Sequence, residues 1–220
     1  MALSPARPLE PTVLTGRTVR LEPLSADRHA ATLFAAAQGD GADPLVWRYM
    51  WDGPYADAEE YAAWARVAAA GRDPQFFAVV VDELGGPAGV ASYLRIEPAH
   101  ACIEIGHIWF GGRMQRTTAA TETIFLLLRH AFDDLGYRRV EWKCNAENAR
   151  SRAAADRFGF TFEGVFRQHM IVKGANRDTA WYALLDGEWP AVRAGFEAWL
   201  DPANFDANGR QRHRLRSDGH

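Results

Sequence analysis

Glu104 stands in an otherwise apolar run, Cys102–Phe110 (CIEIGHIWF), and a carboxylate in such a place must be paired or face a wet cleft. Desolvation there would raise its pKa and suit it as a general base, acting directly or through water. A structural carboxylate bonded to a neighbouring strand or loop is the other reading. His107 is a second base candidate in the same run, because imidazole titrates near neutrality. Strand alternation puts Ile105, His107 and Trp109 on one face and Glu104, Gly106 and Ile108 on the other. The two candidates are therefore not expected in one cleft unless a bulge intervenes, and His107 also reads as a satisfied polar core residue. Directly after the run, Gly111-Gly112 ends the strand and Gln115-Arg116-Thr117-Thr118-Ala119-Ala120-Thr121-Glu122 opens a long amphipathic helix. A helix N-terminus at the carboxyl end of a strand presents free N–H groups and partial positive charge, a site for an anion such as a pyrophosphate. An ordinary strand–helix junction is the alternative.

These residues need a scaffold, and the chain can supply one. Its 220 residues, 48% apolar and 24% charged, suffice for one substantial core. A net charge of −3 gives no footprint for nucleic acid. The basic residues Arg210, Arg212, His213, Arg214 and Arg216 read as a solvated tail. No apolar run approaches the roughly 20 residues of a membrane span, and MALSPARPLEP lacks the apolar core of a signal peptide. Cys102 and Cys144 read as reduced thiols in strands, which fits a cytoplasmic protein. No Cys/His pair has metal-ligand spacing.

Residues 1–16 are Pro-rich and read as an extended or frayed arm, residues 17–200 as a single domain, and residues 201–220 as a polar tail. Residues 19–23 alternate as a strand; Ser25 can cap a helix bearing Ala30, Leu33, Phe34 and Ala37 on one face. An aromatic loop follows, with Trp47, Tyr49, Trp51 and Tyr55. Asp57 and Glu60 have capping-box spacing before a second helical stripe through Tyr61, Trp64, Ala65 and Ala68. Residues 76–81 and 88–96 form a hairpin, Cys102–Phe110 the next strand, and Gln115–Leu135 a helix stopped by Gly136. Strand 140–144, helix 148–158, strands 165–172 and 179–185 and helix 189–200 complete the chain. The crossover helix makes the strands on either side of it parallel neighbours in a mixed sheet, and such a sheet binds ligands at the carboxyl ends of its strands.

The order of elements, the Gln-to-Ala turn before the long helix and Asn148-Ala149-Arg150-Ser151 resemble the GNAT superfamily of N-acetyltransferases. More narrowly, Glu104-Ile105-Gly106-His107, Asn148-x-x-Ser151, Phe158-Gly159-Phe160, Glu163-Gly164 and Asp178 resemble its ribosomal-protein N-acetyltransferase branch, over about Arg17 to Trp189. The resemblance implies an α/β (α+β) fold: a twisted, mostly antiparallel sheet of about seven strands flanked by helices, with a central parallel pair splayed at the cofactor site. It implies acetyl-CoA as cofactor, with Gln115, Arg116, Thr117, Thr118, Ala119, Ala120 and Thr121 at its phosphates. Thr118 stands where the family's glycine usually does; its hydroxyl can donate to a phosphate, while its branched carbon limits close approach.

Acetyl transfer to an amine needs a neutral amine, a donor to the developing oxyanion and a proton or donor for the departing thiolate. By the resemblance, backbone N–H groups of Ile108, Trp109 and Phe110 serve the thioester carbonyl, Asn148 contacts the cofactor arm, and Ser151 faces the leaving sulfur. The bland readings are core packing for the first three, and a helix cap with its first turn for Asn148 and Ser151. Tyr182 is a further candidate donor to sulfur. The aromatic loop of Trp47, Tyr49, Trp51 and Tyr55 walls the acceptor site in the resembling enzymes, and His107 and His169 are placed with it. Packing over the sheet, or a homodimer contact, is the alternative for the loop. The expected activity is direct transfer of acetyl from acetyl-CoA to a primary amine in a ternary complex. The acceptor is either a protein N-terminal amine or a small molecule such as an antibiotic or polyamine. A non-catalytic acyl-CoA-binding module and an interacting subunit with a relict cleft are the alternatives of other classes.

Overall fold

The structure, a computed structural model, describes residues 4–39 and 42–215. Residues 1–3 of the N-terminal arm, and Arg216 with the last four residues of the tail, lie outside the described residues. The strands are β1 (Leu14–Thr15), β2 (Arg20–Pro23), β3 (Gln75–Val81), β4 (Gly86–Glu97), β5 (Cys102–Phe110), β6 (Arg139–Asn145), β7 (Thr161–Val172) and β8 (Ala175–Leu185). The α-helices are α1 (Ala26–Gln38), α2 (Ala58–Ala70), α3 (Thr118–Arg129), α4 (Ala149–Arg157) and α5 (Trp189–Leu200). In strand order the sheet reads β1-β2-β3-β4-β5-β6-β8-β7, mixed and mostly antiparallel, with β5 and β6 its parallel pair. The chain divides into two compact units, one of Pro8–Glu97 with Ile103–Leu127, the other of Met1–Arg7, Pro98–Cys102 and Leu128–His220. No helix among the described residues is long and apolar enough to cross a membrane.

In the first unit, β3 is buried along its whole length. After Gln75 its sequence FFAVVV is accordingly apolar on both faces rather than alternating. One face carries Phe76, Ala78 and, from β4, Val90; α1 and α2 cover it with Ala30, Leu33, Ala37, Tyr61 and Ala65. The opposite face receives α3, whose Leu127 carbonyl accepts the Tyr93 hydroxyl. Asp57 caps α2 by accepting from the Glu59 and Glu60 N–H groups, and Glu60 reaches back to the Ala56 N–H, so the capping box forms one residue earlier than its usual closure. Ser25 occupies the cap position of α1, but its side chain makes no cap bond; its N–H donates instead to Nδ1 of His29.

The eighth strand is β1, which pairs Leu14 with Leu21 inside the expected arm. Two residues carry no periodicity, so composition alone read them as extended chain. The β1–β2 turn is fastened by Glu122 of α3, a buried carboxylate that accepts from the N–H groups of Arg17 (2.7 Å) and Thr18 (2.8 Å) and from the Thr18 hydroxyl. A Cβ at Gly16 would lie 2.7 Å from that carboxylate, so only glycine lets the turn come this close.

In the second unit, β6, β8 and β7 pair antiparallel. The β7–β8 hairpin turns at Lys173 and Gly174, both with positive φ, as a two-residue turn requires. After α3 the helix widens into a π turn over His130–Asp134, and Gly136 (φ 75) ends it. Trp142 of β6 packs against Phe158 and Phe160, and Phe158 stacks on Phe196 of α5. The polar C-terminal stretch folds back over α5: Asn204 donates to the carbonyl of Trp199 (3.0 Å) and accepts from the N–H of His213 (2.9 Å).

Candidate active site

The turn before α3 is built by its own side chains. Thr117 caps the helix: its Oγ1 accepts from the Ala120 N–H (3.3 Å) and donates to the Met114 carbonyl (2.7 Å). The helix therefore begins at Thr118, and Gln115–Thr117 form the polar turn that opens it. The Gln115 amide donates to the Phe110 carbonyl (3.0 Å), tying the turn to the end of β5. Arg116 lies at φ 63, a left-handed conformation that a non-glycine residue adopts only where its surroundings hold it there. Among the described residues the N–H groups of Arg116, Thr118 and Ala119 donate to no protein acceptor, and the exposed Arg116 guanidinium has no acidic partner. These donors, the helix dipole and a cation without an acidic partner converge on one short segment, a chemistry suited to an anion. Thr118 is half-buried at the first position of the helix, while Ala119, Ala120 and Thr121 are buried.

On β5, alternation fails where it matters. His107 lies at φ 48 and its ring is 5.3 Å from that of Phe76. Phe76 pairs with Ser92 on β4, so His107, Phe76, Ser92 and Leu94 share a face. A Cβ at Gly106 would lie 2.9 Å from Leu94 and 3.3 Å from Glu104 Oε1, which puts Glu104 on that face too. The expected separation of Glu104 from His107 is thus corrected: the backbone kink at His107 turns both toward the side covered by α1 and α2. Trp109 follows them there, in the core with Trp47 (5.8 Å) and Tyr61 (6.5 Å).

Glu104 is 4% exposed and accepts from the Arg95 guanidinium at 2.9 Å. Its position is therefore that of a buried, charge-paired carboxylate on the Phe76 face. Arg95 and the residue that holds it, Asp73, escaped the sequence reading. The need for a partner was visible in Glu104 itself, but nothing in the spacing singled out Arg95.

The aromatic loop divides. Trp47 and Tyr55 are buried in the core, edge to face at 5.4 Å, and their packing is that of a wall anchored from inside. Burial pushes the Tyr55 and Tyr61 phenols well above their usual range, so neither is a ready proton donor or acceptor. Tyr49 is half-buried under Arg48, and Trp51 is 37% exposed. Of the four, only these two present surface to a ligand. Gly53 (φ 65) passes so close to Trp47 that a Cβ would fall 2.4 Å from its ring.

In the second unit, Asn148 caps α4, accepting from the Ser151 N–H (3.1 Å). The Ser151 hydroxyl accepts from Trp142 Nε1 (3.0 Å) and also bonds Cys144. Burial pushes the Cys144 thiol up, with Ser151 pulling the other way; burial, then Glu141, pushes Cys102 up to about 11. Neither thiol is ionised near neutrality, so neither is poised as a nucleophile. Tyr182 accepts from Arg152 (3.1 Å), leaving its own proton available. His169 lies on a bulge of β7, bonded to Thr179 (3.0 Å) beside the stacked pair Phe166 and Trp181. Asp178 closes that bulge by accepting from the Gln168 N–H (2.7 Å).

Comparison with known proteins places this arrangement. The chain superposes on a GCN5-related N-acetyltransferase from Brucella melitensis with a TM-score of 0.94 and 47% identity, over 97% of this chain and 96% of that one. It is 32% identical to the ribosomal-protein-serine acetyltransferase of Escherichia coli over 97 residues, 44% of this chain and 54% of that protein. It is 30% identical over 105 residues to a Bacillus subtilis protein described as a ribosomal N-acetyltransferase, YdaF, 48% of this chain and 57% of that one. The chain thus spans a little over half the length of these two curated relatives. The model of the acetyltransferase (GNAT) domain matches residues 18–161, from the turn that Glu122 fastens through β5 and α3 to the start of β7, and the chain belongs to that family.

Proposed function

We propose that the protein is an acetyl-CoA-dependent N-acetyltransferase that acetylates a primary amine in a ternary complex. The observation that carries this reading is the group of unpaired N–H donors at Arg116, Thr118 and Ala119, with the Arg116 cation beside them. They fit a pyrophosphate. Gln115, Arg116, Thr117, Thr118, Ala119, Ala120 and Thr121 would hold it, the last three by forming the first turn of the helix. Acetyl-CoA, when bound, would supply the acetyl group as an activated thioester.

The chain's own residues supply the rest. Glu104 takes the amine proton through water, since the carboxylate is buried against Arg95 and a water relay bridges what the side chain cannot reach. Backbone N–H groups of Ile108, Trp109 and Phe110 stabilise the oxyanion where the strand pair splays. Asn148 and Ser151 are assigned to the cofactor arm and the departing sulfur by the family resemblance. Ser151 already bonds Trp142 and Cys144, which makes Tyr182 its competitor as proton donor. Direct transfer is favoured over an acyl-enzyme because both thiols are held protonated. Trp51, Tyr49, His107 and His169 are the acceptor-side residues, with Trp47 and Tyr55 supporting them from the core.

The names of the two ribosomal-type relatives favour a protein α-amine as acceptor; a small amine such as an antibiotic or polyamine is the second choice. The test is a screen of peptide and small-molecule amines with acetyl-CoA, reading free thiol. Release dependent on one amine class establishes the activity and the class. Thr118 at the glycine position favours one other reading, acyl-CoA binding without turnover. Acetyl-CoA at a hundred times its Kd should stabilise the fold by about 2.7 kcal/mol. That stabilisation with no thiol release from any amine would select the binding module. An unchanged melting temperature at millimolar acetyl-CoA would remove the cofactor.

A further inference from the structure

Near its end, β4 carries a backbone reversal that holds the partner of Glu104. Arg95 lies within the strand at φ 46, a left-handed conformation. In regular alternation Arg95 would follow Tyr93 to the α3 side of the sheet. The reversal at Arg95 sends its side chain to the Leu94 side instead, where the guanidinium donates to Glu104 Oε2 at 2.9 Å. The reversal is itself fastened: the Asp73 carboxylate accepts from the Arg95 N–H (2.9 Å) and the Ile96 N–H (3.1 Å). Two bonds from one carboxylate to consecutive N–H groups hold the backbone in a conformation that an arginine would otherwise leave. Gly106 keeps room for the Glu104 carboxylate on the same face. Arg95 is 41% exposed at its side chain and Glu104 only 5%, so the buried partner is the one whose direction is set.

We propose that Arg95 is a positioning residue for Glu104, and that Asp73 acts one step further out by holding the backbone that aims Arg95. The inference rests on the reading of Glu104 as the base. A guanidinium on one carboxylate oxygen narrows the rotamers open to the side chain and so helps set the direction of the carboxylate. Removing that contact shifts the carboxylate from the direction the relay needs.

Steady-state kinetics on Arg95→Met, Arg95→Lys, Asp73→Asn, Glu104→Gln and the double variant Arg95→Met/Glu104→Gln test it, with melting curves to show that each is folded. Arg95→Met should lower kcat roughly tenfold to a hundredfold with the KM for acetyl-CoA unchanged. Arg95→Lys should recover part of the loss, and Asp73→Asn should show the same kcat pattern more weakly. In the Glu104→Gln background Arg95→Met should cost nothing further, because the group it positions is gone. Equal losses in both backgrounds, or a loss confined to KM, would overturn the positioning role while leaving Glu104 as base. A near-normal kcat in Glu104→Gln alone would instead remove the base assignment. The carbon resonance of the Glu104 carboxyl, assigned by its disappearance in Glu104→Gln, reads the clamp without turnover. It should shift in Arg95→Met and in Asp73→Asn, and an unmoved resonance overturns the proposal whatever the kinetics.

Discussion

β3 and β5 belong to the same sheet, have nearly the same length and both read as apolar strands, yet they do opposite work. β3 is buried from end to end, and past Gln75 it is apolar throughout, with a register shift against β4 between Val79 and Val80. β5 contains a buried carboxylate, a glycine beside it and a histidine at φ 48. From Phe76 to Val81 the two faces of β3 are alike in kind, so that stretch contributes packing. In β5 the kink at His107 places Glu104, Gly106, His107 and Trp109 on one side, and a strand that had obeyed its period would have split them. The buried carboxylate of β5 is tolerated because Arg95 is placed to pair it.

If that contrast is right, damage to β5 should appear in turnover and damage to β3 in stability. The largest expected effect is from Glu104→Gln, which keeps volume and removes the proposed base; kcat should fall by about 10²–10⁴, with the melting temperature and acetyl-CoA affinity nearly kept. Kinetics on the folded variant check this, and a large loss of stability at near-normal kcat would make Glu104 a structural residue like those of β3. Phe77→Ala is the matching change in β3. Its ring is fully buried and edge-on to Tyr93 at 5.9 Å, so truncation should cost about 3–5 kcal/mol in denaturant unfolding while the folded fraction keeps its kcat.

Gly106→Ala sharpens the comparison at one methyl group. The new Cβ would meet Leu94 at 2.9 Å and Glu104 Oε1 at 3.3 Å. The mobile end of Leu94 can yield, at about 1–2 kcal/mol of stability, but the displaced carboxylate should lower kcat about tenfold. Undiminished kcat in a folded Gly106→Ala would show that the position of Glu104 is not critical. The smallest effect belongs to the turn beyond β5. Arg116→Ala removes an exposed cation with no internal partner, so stability should hardly change, while the KM for acetyl-CoA should rise about fivefold, equivalent to about 1 kcal/mol. An unaltered KM would mean that Arg116 points to solvent.

Much of the scaffold was legible because it is periodic. The bounds of β5 (Cys102–Phe110) and α5 (Trp189–Leu200) follow from apolar runs closed by glycine or proline, and the α2 start follows from Asp57 and Glu60. β1 was missed because two residues have no period. A polar turn running into α3 is visible in the residues from Gln115, but the left-handed Arg116 and the capping role of Thr117 are not, because they depend on what the turn is tied to: the carbonyls of Phe110 and Met114. Trp47 and Tyr55 were weighed as acceptor wall or packing, and only the position of Gly53 against Trp47 shows how far inside the loop is drawn.

The chain's own order of residues determined that a carboxylate would lie in an apolar strand, that a strand would run into a polar turn opening a helix, and which family those features resemble. Hydrophobic period, capping chemistry and motif spacing are local, and a sequence displays them directly. The side to which His107 turns, the clamp of Arg95 on Glu104 and the Asp73 bonds that set Arg95 join residues up to 31 positions apart through backbone conformations that cost energy in isolation. Such conformations persist only when several contacts from different elements hold them at once, and that condition exists in the folded sheet and nowhere in the chain before it folds.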